Sequence, residues 1–451
     1  MTTAFLDRES TIAPPGFNRF LVPPAALAVH LSIGQAYAIS TFNLPLTRLI
    51  GLKASAHDDW TLAQVGWTFS IAIVLLGLSA AVFGRWVETV GPRKSMLTAA
   101  ACFGGGFMVA AVGIHLHQIW LLYLGYGVLG GCGLGIGYIS PVSTLIKWFP
   151  DRPGMATGMA IMGFGGGALI AAPLSVLLME HFKTATSNGV VETFVTMGVI
   201  YFMFMMIGVY TVRVPPADWK PAGWTPPVKP KLLITSANVA VDTAWRTPQF
   251  WLLWGVLCMN VTAGIGVLGQ ASPMIQEIFS GRVSPATASS FVGLLSLFNM
   301  VGRFFWASTS DYIGRRNTYM VFFLLGIVLY STVPTIGHQG SIPLFVAVFC
   351  IILSMYGGGF ATIPAYLRDM FGTYQVGAIH GRLLTAWSVA GVLGPVLVNY
   401  IRQFQIESGV PKAQAYSVTM YIMCGMLLIG FVCNFAMRPV NEKYLVREIK
   451  A

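Results

Sequence analysis

Apolar stretches of about 20 residues recur along nearly the whole chain, and each could cross a membrane as a helix. A bilayer core offers no water to backbone N–H and C=O groups, so a spanning segment must satisfy them within its own helix or in a closed barrel. Only 10% of the 451 residues are charged, whereas soluble domains carry about 25%. The apolar surface must therefore be covered by something larger than the chain's own core. We predict an integral, multi-pass membrane protein whose partner is a lipid bilayer.

Twelve apolar stretches are bounded by charge, proline or glycine and are predicted spans. They cover residues 20–46, 62–84, 95–116, 119–146, 155–180, 192–212, 249–271, 286–308, 317–336, 342–366, 379–401 and 415–437. Residues 213–248 are rich in proline and basic residues, which is typical of an exposed connector. The predicted organisation is an N-terminal segment 1–19, a six-helix bundle 20–212, the connector 213–248, a second bundle 249–437 and a tail 438–451. The first stretch is too long for a cleaved signal peptide, so we expect it to remain.

The distribution of lysine and arginine predicts the orientation. The side that carries both termini holds 20 of the 27 basic residues, and the opposite side holds six. The positive-inside rule makes that side cytoplasmic. We expect a bacterial inner membrane protein whose net charge of +11 directs insertion, so the charge gives no reason to expect nucleic acid as a partner.

An internal repeat organises the chain, because six residues recur at a constant offset of 223 positions. The pairs are Glu88 and Asp311, Gly91 and Gly314, Arg93 and Arg316, Pro141 and Pro364, Gly154 and Gly377, and Gly158 and Gly381. Two parallel six-helix repeats are the architecture of secondary transporters, whose substrate site lies between the halves near the membrane midplane. The predicted fold class is an all-α membrane protein of twelve transmembrane helices in two pseudo-repeats.

A loop motif begins this repeat and predicts a role in conformational gating. An acid at a helix end can pair with basic residues across the cytoplasmic face, and glycine lets helices approach. The first copy consists of Gly84, Glu88, Gly91 and Arg93; the second consists of Asp311, Gly314, Arg315 and Arg316, with Ala307 at the place of the leading glycine. This pattern resembles the loop of the major facilitator superfamily, and the resemblance extends over the full length.

Arg303 is the strongest candidate for binding substrate. It lies eight residues before Asp311, which places it about 12 Å deeper along a helix. An arginine there costs roughly 2.5 to 3.5 kcal/mol and usually faces a cavity or partner. All 16 acidic residues lie in predicted loops, tails or span ends, so we expect a small organic anion to supply the opposite charge. Snorkelling or backbone carbonyls are the alternative. Asn299, four residues earlier on the same face, either assists the anion or joins helices.

Five further polar or aromatic residues are weaker candidates for lining the same cavity. They are Gln35, Tyr37, Tyr138, Tyr356 and Trp387. Packing between helices is the alternative for each. His30 is a candidate proton carrier, although a packed neutral histidine is the commoner outcome.

The remaining residue types give no reason to expect a metal or a cofactor. The six cysteines lie in apolar stretches without paired spacing or nearby histidines, and the glycine clusters do not match a nucleotide loop. The spans contain no acid–base or nucleophile constellation, so we predict that the chain is not an enzyme. A carboxylate sensor that uses the same pocket without transport is the alternative function.

Four segments together resemble the oxalate/formate antiporter family, which is related to the monocarboxylate transporters. They are Lys147–Gly158, Asn299–Arg303, Tyr356–Pro364 and Thr385–Trp387. The resemblance implies that Arg303 binds a carboxylate and that Asn299, Tyr37, Tyr138 and Tyr356 line its pocket. It also implies a lysine in oxalate-transporting members where this chain has Trp387. Arg303 alone would balance only one of the two charges of a dianion. The second charge would stay uncompensated in the membrane-buried pocket, where the dielectric constant is low.

We therefore expect a monocarboxylate such as formate, lactate or pyruvate, rather than oxalate, to be the substrate. Monocarboxylate transporters carry an aspartate for proton coupling where this chain has Asn299, so the resemblance leaves both anion exchange and proton-linked symport open. The oligomeric state is also open, with a monomer as the working expectation.

Overall fold

The computed structural model describes residues 5–53, 55–217, 219–224, 233–235 and 237–446. Parts of the predicted N-terminal segment, connector and tail therefore lie outside the described residues. Within the described part, twelve helices are long and apolar enough to span a membrane, and the only strand-like pairing is an isolated bridge between Ile12 and Val214. In chain order, α1 to α12 cover Arg19–Leu46, Leu62–Val90, Pro92–His115, Ile119–Trp148, Pro153–Phe182, Val190–Thr211, Pro248–Ile278, Pro285–Ile313, Arg315–Gln339, Ile342–Phe371, Val376–Glu407 and Ser417–Phe435.

The helices coincide with the twelve predicted spans and extend past several of them. The prediction ended α2 at residue 84, but the helix continues to Val90. It ended α8 at residue 308, but the helix continues to Ile313. Apolar windows detect the part of a helix that lies in hydrocarbon, whereas capping decides where the helix itself ends. Gly91 and Gly314 end these two helices with φ of +85° and +87°, a conformation that favours glycine.

Polar caps begin several helices. The side chain of Thr61 accepts a hydrogen bond from the backbone N–H of Gln64, and the Gln64 side chain bonds back to the N–H of Thr61, which makes a capping box before α2. Thr247 and Ser284 cap α7 and α8 in the same way through one side-chain oxygen each. These caps satisfy N–H groups that no earlier turn can reach.

Two helices depart from regular α geometry. Residues Gly34–Phe42 of α1 form a 3-10 helix, and residues Tyr123–Gly130 of α4 form a π-helix. The two irregular segments are joined by the Tyr126 hydroxyl, which donates to Gln35 Oε1 over 2.9 Å. Such interruptions frequently occur at functional sites.

The chain divides into two compact units. Unit 1 comprises residues 1–151, 159–225 and 375–388; unit 2 comprises residues 152–158, 226–374 and 389–451. In unit 1, Phe107 packs against Phe103, Tyr126 and Phe194 with ring centroids 5.2 to 5.4 Å apart. The assignment of residues 20–212 and 249–437 to two bundles by chain order stays a prediction.

Unit 2 has its own aromatic core. The ring centroid of Phe345 lies 4.6 Å from that of Phe349 and 5.2 Å from that of Phe279. Apolar contact between such rings packs Phe279, the residue that follows α7, against α10.

Candidate functional site

Arg303 lies inside unit 2 with no solvent exposure. Its Nε donates to Asn299 Oδ1 over 3.1 Å, as expected for residues four apart on one helix face. Its guanidinium carbon lies 5.3 Å from the centre of the Phe360 ring, within cation–π range. Since α8 ends at Ile313, the guanidinium-bearing residue lies about 15 Å from the helix end. The structure thus places a cation deep within a membrane-spanning helix.

Helix α10 covers this cation closely because glycine faces it. A Cβ at Gly357 would clash with the carbonyl oxygen of Asn299 and would lie 3.1 Å from Cγ of Arg303. Tyr356, the next predicted site residue, is 2% exposed and meets Phe360 edge-on at 5.3 Å. Arg303, Asn299, Tyr356 and Phe360 form what we call the arginine cluster, which is buried and lined by aromatic rings.

A second group of predicted residues lies within unit 1. The ring of Tyr138 meets Trp387 at 5.6 Å and Phe164 at 5.6 Å, and Phe164 meets Trp387 at 5.3 Å. Tyr37 lies edge-on to Phe164 at 5.0 Å. Tyr138 and Trp387 are fully buried. These four residues form what we call the aromatic cluster.

His30 adjoins the aromatic cluster and is held by backbone carbonyls. Its Nδ1 lies 2.8 Å from the carbonyl oxygen of Ala160, and its Nε2 lies 3.1 Å from that of Tyr138. Its ring stacks on Tyr138 at 5.2 Å. A neutral imidazole can donate only one of these two bonds. Gln35, by contrast, contacts the core through Tyr126, as described above.

The first copy of the loop motif connects α2 to the start of α11 inside unit 1. Glu88 accepts hydrogen bonds from the backbone N–H of Gly377 over 3.0 Å and from Ser143 Oγ over 2.7 Å. Lys147 Nζ lies 2.7 Å from the other carboxylate oxygen. The carboxylate therefore caps the N-terminus of α11, where the helix dipole favours negative charge. A Cβ on Gly84 would lie 2.9 Å from Cα of Ala378, so this motif glycine permits the approach.

The second copy connects α8 to the start of α5 inside unit 2. Asp311 accepts the backbone N–H groups of Gly154 and Met155 over 2.9 and 2.8 Å. Arg315 lies 2.6 Å from Asp311 and 3.2 Å from Asp369. The two copies thus perform the same capping with different basic partners.

The remaining motif arginines bind backbone oxygens. Arg93 donates to the carbonyls of Val209 and Phe5, and Arg316 donates to that of Phe435 over 2.7 Å. These bonds tie the ends of neighbouring segments together within each unit.

Close helix contacts follow the acidic caps in both units. A Cβ on Gly381 would clash with the carbonyl oxygen of Ala80 in unit 1, and a Cβ on Gly158 would lie 3.0 Å from the carbonyl oxygen of Arg303 in unit 2. Both pairs are related by the 223-residue offset. We call the contact of α2 with α11 the Glu88 junction and the contact of α8 with α5 the Asp311 junction.

The arginine cluster has the chemistry to hold a small anion. A guanidinium presents a planar fork of donors that matches a carboxylate, and low dielectric surroundings strengthen the attraction. Among the residues that the structure describes, no group of three or more His, Cys, Asp or Glu side chains could hold a metal ion.

Two members of these clusters, Phe164 and Phe360, are absent from the predicted site. Phe164 is the repeat counterpart of Trp387, so the 223-residue offset could have identified it. Phe360 follows Tyr356 by four residues and shares its helix face. His380, the second residue of the predicted span 379–401, adjoins the aromatic cluster at 5.8 Å from Tyr138 and is 1% exposed.

Comparisons with known proteins agree with this architecture. The family profile described as Major Facilitator Superfamily matches residues 16–395 and, in a second match, 261–451. The oxalate:formate antiporter of Oxalobacter formigenes is 26% identical over 381 residues, which is 84% of this chain and 84% of that protein. Apicoplast pyruvate carrier 1 of Toxoplasma gondii is 25% identical over 447 residues, covering 86% of this chain and 78% of the carrier.

A solved structure shows the same fold at low identity. The fucose:proton symporter of E. coli superimposes with a TM-score of 0.65 at 12% identity, covering 93% of this chain and 99% of that chain. At this identity the likeness concerns the fold alone.

Proposed function

The chain belongs to the major facilitator superfamily, and from that premise we propose that it carries a small monocarboxylate across the membrane by alternating access. Members of this fold are transporters and not enzymes. The side chains of the two clusters therefore indicate which kind of molecule the protein carries. The observation that carries the proposal is the complete burial of Arg303 within α8.

Arg303 supplies the positive charge that an anionic cargo needs. A cation within a membrane-spanning helix is costly to bury, and such residues usually serve binding or transport. The hydrogen bond from Nε to Asn299 Oδ1 restrains the position of the guanidinium. In this proposal a carboxylate binds the guanidinium through two parallel hydrogen bonds.

The aromatic cluster supports a cargo with one carboxylate. Trp387 occupies the position where oxalate-transporting relatives are expected to have a lysine, and its ring packs against Tyr138 and Phe164. An aromatic ring brings no charge to balance a second carboxylate. The names of the two relatives, an oxalate:formate antiporter and a pyruvate carrier, support formate or pyruvate among the monocarboxylates that we propose, which also include lactate.

The other predicted residues have supporting roles in this proposal. Asn299 orients Arg303, and Tyr37, Tyr138, Tyr356 and Trp387 contribute apolar surface to cargo binding. Gln35 acts through Tyr126. A proton-carrying role for His30 stays a prediction.

The two junctions are the proposed gating elements. Glu88 and Asp311 each cap a helix from the other sequence repeat, and each cap must break if these helix ends separate during transport. Gly84, Gly91, Arg93, Gly314, Arg315 and Arg316 shape and anchor the two loops. Substrate exchange and proton-linked symport are both compatible with this arrangement.

The setting of the protein follows from its charges. The excess of basic residues on the side of the termini supports cytoplasmic termini in a bacterial inner membrane. A single chain contains both clusters, which supports a monomer as the working unit.

Uptake into proteoliposomes tests the proposal. Labelled formate, lactate, pyruvate and oxalate are each offered to the native chain, to Arg303→Ala and to Arg282→Ala. Arg282 is a matched control because it lies in the loop after α7, is exposed, and donates to the carbonyl of Gly340. We expect monocarboxylate flux in the native chain, little change in Arg282→Ala, and a fall of roughly 100-fold or more in Arg303→Ala, the scale of a lost charge-assisted bidentate contact.

Other outcomes would revise specific parts. Robust oxalate flux would contradict the argument from Trp387. Full activity of Arg303→Ala would place the cargo site elsewhere, and saturable binding without flux would indicate a sensor. Stimulation of uptake by an anion inside the vesicles would identify exchange.

A further inference from the structure

A cavity of about 80 Å³ lies within unit 1, where α2 and α4 end beside the N-terminal segment. That volume is enough for several water molecules or for one small polyatomic ion. Its walls include three charged and three hydroxyl side chains, which are Arg8, Glu88, Lys147, Ser140, Ser143 and Thr144. The proposed cargo site at Arg303 gives this cavity no role.

The N-terminal segment forms one wall of the cavity and is fixed there by hydrogen bonds. On one side of Arg8, the guanidinium of Arg93 donates to the carbonyl oxygen of Phe5. On the other side, the backbone N–H of Val214 donates to the carbonyl oxygen of Thr11 over 2.9 Å. Arg8 therefore lies between two anchored points and is held at the cavity.

The cavity presents positive charge that its own residues do not balance. Within the part of the chain that the structure describes, the side chain of Arg8 makes no hydrogen bond or ion pair. Lys147 bonds to Glu88 over 2.7 Å, which uses one of the three donors of its ammonium group. Two cations thus face one carboxylate, and the excess charge favours an anionic ligand.

The internal repeat shows that the polar walls are not needed for helix packing. Three of the polar residues, Ser140, Thr144 and Lys147, have the apolar counterparts Ile363, Leu367 and Met370. The acidic cap of the Asp311 junction is made all the same. Capping therefore does not explain the polar walls of unit 1.

Glu88 determines which kind of anion the cavity accepts. Its Oε1 accepts bonds from Gly377 and Ser143, whereas its Oε2 accepts one bond, from Lys147, among the described residues. A carboxylate oxygen can accept about two hydrogen bonds, so Oε2 has room for a further donor. An anion without a proton would be repelled by this oxygen, whereas an oxyanion with a hydroxyl group can donate to it. Inorganic phosphate keeps at least one proton at neutral pH, and sulfate keeps none.

We propose that this cavity is a phosphate-binding site, in which phosphate oxygens accept bonds from Arg8 and Lys147 and a phosphate hydroxyl donates to Glu88. A phosphate monoanion balances the net charge of the three side chains. Because it joins the N-terminal segment to the Glu88 junction, bound phosphate favours the closed junction. It then slows transport, a consequence that rests on the proposed function, whereas the binding does not.

Equilibrium binding of radiolabelled inorganic phosphate to the purified full chain in detergent tests the site. Unlabelled phosphate and sulfate are the competitors, at equal ionic strength because salt screens such charges. We expect saturable binding that unlabelled phosphate displaces and that sulfate displaces only weakly.

Three variants test the residues that hold the ligand. Arg8→Ala changes an exposed residue and is expected to weaken phosphate binding about tenfold or more, the scale of a lost charged hydrogen bond. Lys94→Ala is the matched control, because Lys94 is an exposed basic residue of α3 that does not line the cavity, and we expect little change. Glu88→Gln supplies an amide donor in place of an acceptor, so it should bind sulfate nearly as well as phosphate.

Pyruvate exchange in proteoliposomes measures the consequence for transport. Phosphate on both sides of the membrane is expected to slow exchange by the native chain and not by Arg8→Ala. Vesicles of phosphatidylcholine with and without phosphatidic acid distinguish a lipid headgroup from free phosphate. Slowing by phosphatidic acid alone, lost in Arg8→Ala, would support the site with a lipid phosphate as its ligand.

Other results would overturn the inference. They are equal displacement by sulfate and phosphate in the native chain, unchanged binding in Arg8→Ala, and the absence of both phosphate binding and an effect of phosphatidic acid. Phosphate binding that leaves native exchange at its full rate would overturn the closure of the junction. A native chain that binds phosphate but moves no monocarboxylate would overturn the proposed function and leave the phosphate site supported.

Discussion

The Glu88 junction and the Asp311 junction are built from equivalent positions of the repeat, yet they differ in how tightly they are made. In the Asp311 junction the carboxylate accepts two backbone N–H groups, whereas in the Glu88 junction it accepts one backbone N–H and one hydroxyl. A Cβ on Gly381 would clash with the carbonyl oxygen of Ala80 in the Glu88 junction, whereas a Cβ on Gly158 would lie 3.0 Å from that of Arg303 in the Asp311 junction. At this pair of positions the Glu88 junction is the closer one, while its carboxylate accepts one backbone N–H fewer.

This difference shows how a repeated scaffold can acquire different tasks in its two copies. At the position of Arg303 the other copy has Ala80, and at the position of His380 the other copy has Thr157. The helix contacts in the two junctions are of the same kind in both copies. They depend on glycine and on an acidic cap rather than on the neighbouring side chains. Each junction therefore keeps its packing although the side chains beside it differ between the two copies.

The largest effect is expected from a substitution that disrupts the close helix approach at Gly381 in the Glu88 junction. In Gly381→Ala the new Cβ would clash with the backbone of Ala80, which cannot move as a side chain can. In Gly158→Ala the Cβ would meet the carbonyl oxygen of Arg303 at 3.0 Å, which a small shift relieves. We expect losses of about 3 and about 1 kcal/mol respectively, within the range for overpacking.

Thermal unfolding in detergent, followed by pyruvate exchange, measures this difference. Equal melting temperatures for the two variants would contradict the closer approach at Gly381 than at Gly158.

A smaller effect is expected from weakening the acidic caps. Asp311→Asn replaces one acceptor oxygen by an amide donor that faces a backbone N–H, so we expect a loss of about 2 kcal/mol. Glu88→Gln can keep the bonds from Gly377 and Ser143, and Lys147, with 30% of its side chain exposed, can turn toward water. We expect a loss of about 1 kcal/mol there.

The same unfolding assay ranks the two caps. If Glu88→Gln proved the more destabilising, the ion pair with Lys147 would contribute more to the Glu88 junction than the second backbone bond contributes to the Asp311 junction.

The smallest effect is expected from a substitution of Thr157, the repeat counterpart of His380. Thr157→Val keeps the shape but removes the hydroxyl bond to Ala361, and we expect a loss of about 1 kcal/mol. Proton-driven pyruvate uptake should be unchanged, because no titratable group is removed. A change in the pH dependence of uptake would show that the two repeat positions share a role in transport.

Local patterns predicted the twelve spans because the bilayer imposes helix length and hydrophobicity on each segment separately. They also predicted Asn299 beside Arg303, since residues four apart share a helix face, and the hydrogen bond between them is present. The helix ends were predicted less well because capping by Gly91 and Gly314 lies outside the apolar windows. Whether these residues bind cargo stays a prediction.

Local sequence patterns could not predict contacts between residues that lie far apart in the chain. Nothing local links Tyr138 to Trp387, or His380 to Tyr138, because such pairs meet only when helices pack. The sequence therefore singled out His30 as a candidate proton carrier but gave no sign that His380, near the start of the predicted span 379–401, packs against Tyr138.

The sequence alone determined the membrane setting, the twofold repeat and the presence of a deep cation, because hydrophobic length, the spacing of recurring residues and the rarity of membrane arginines are properties of the chain itself. Only the tertiary structure decided which groups meet. Glu88 caps the helix that begins near Gly377 and bonds to Lys147, His30 lies against the carbonyl oxygen of Tyr138, and His380 has no hydrogen-bond partner within the described part of the chain. These outcomes depend on side-chain directions and close backbone approach between distant segments, which no local periodicity encodes.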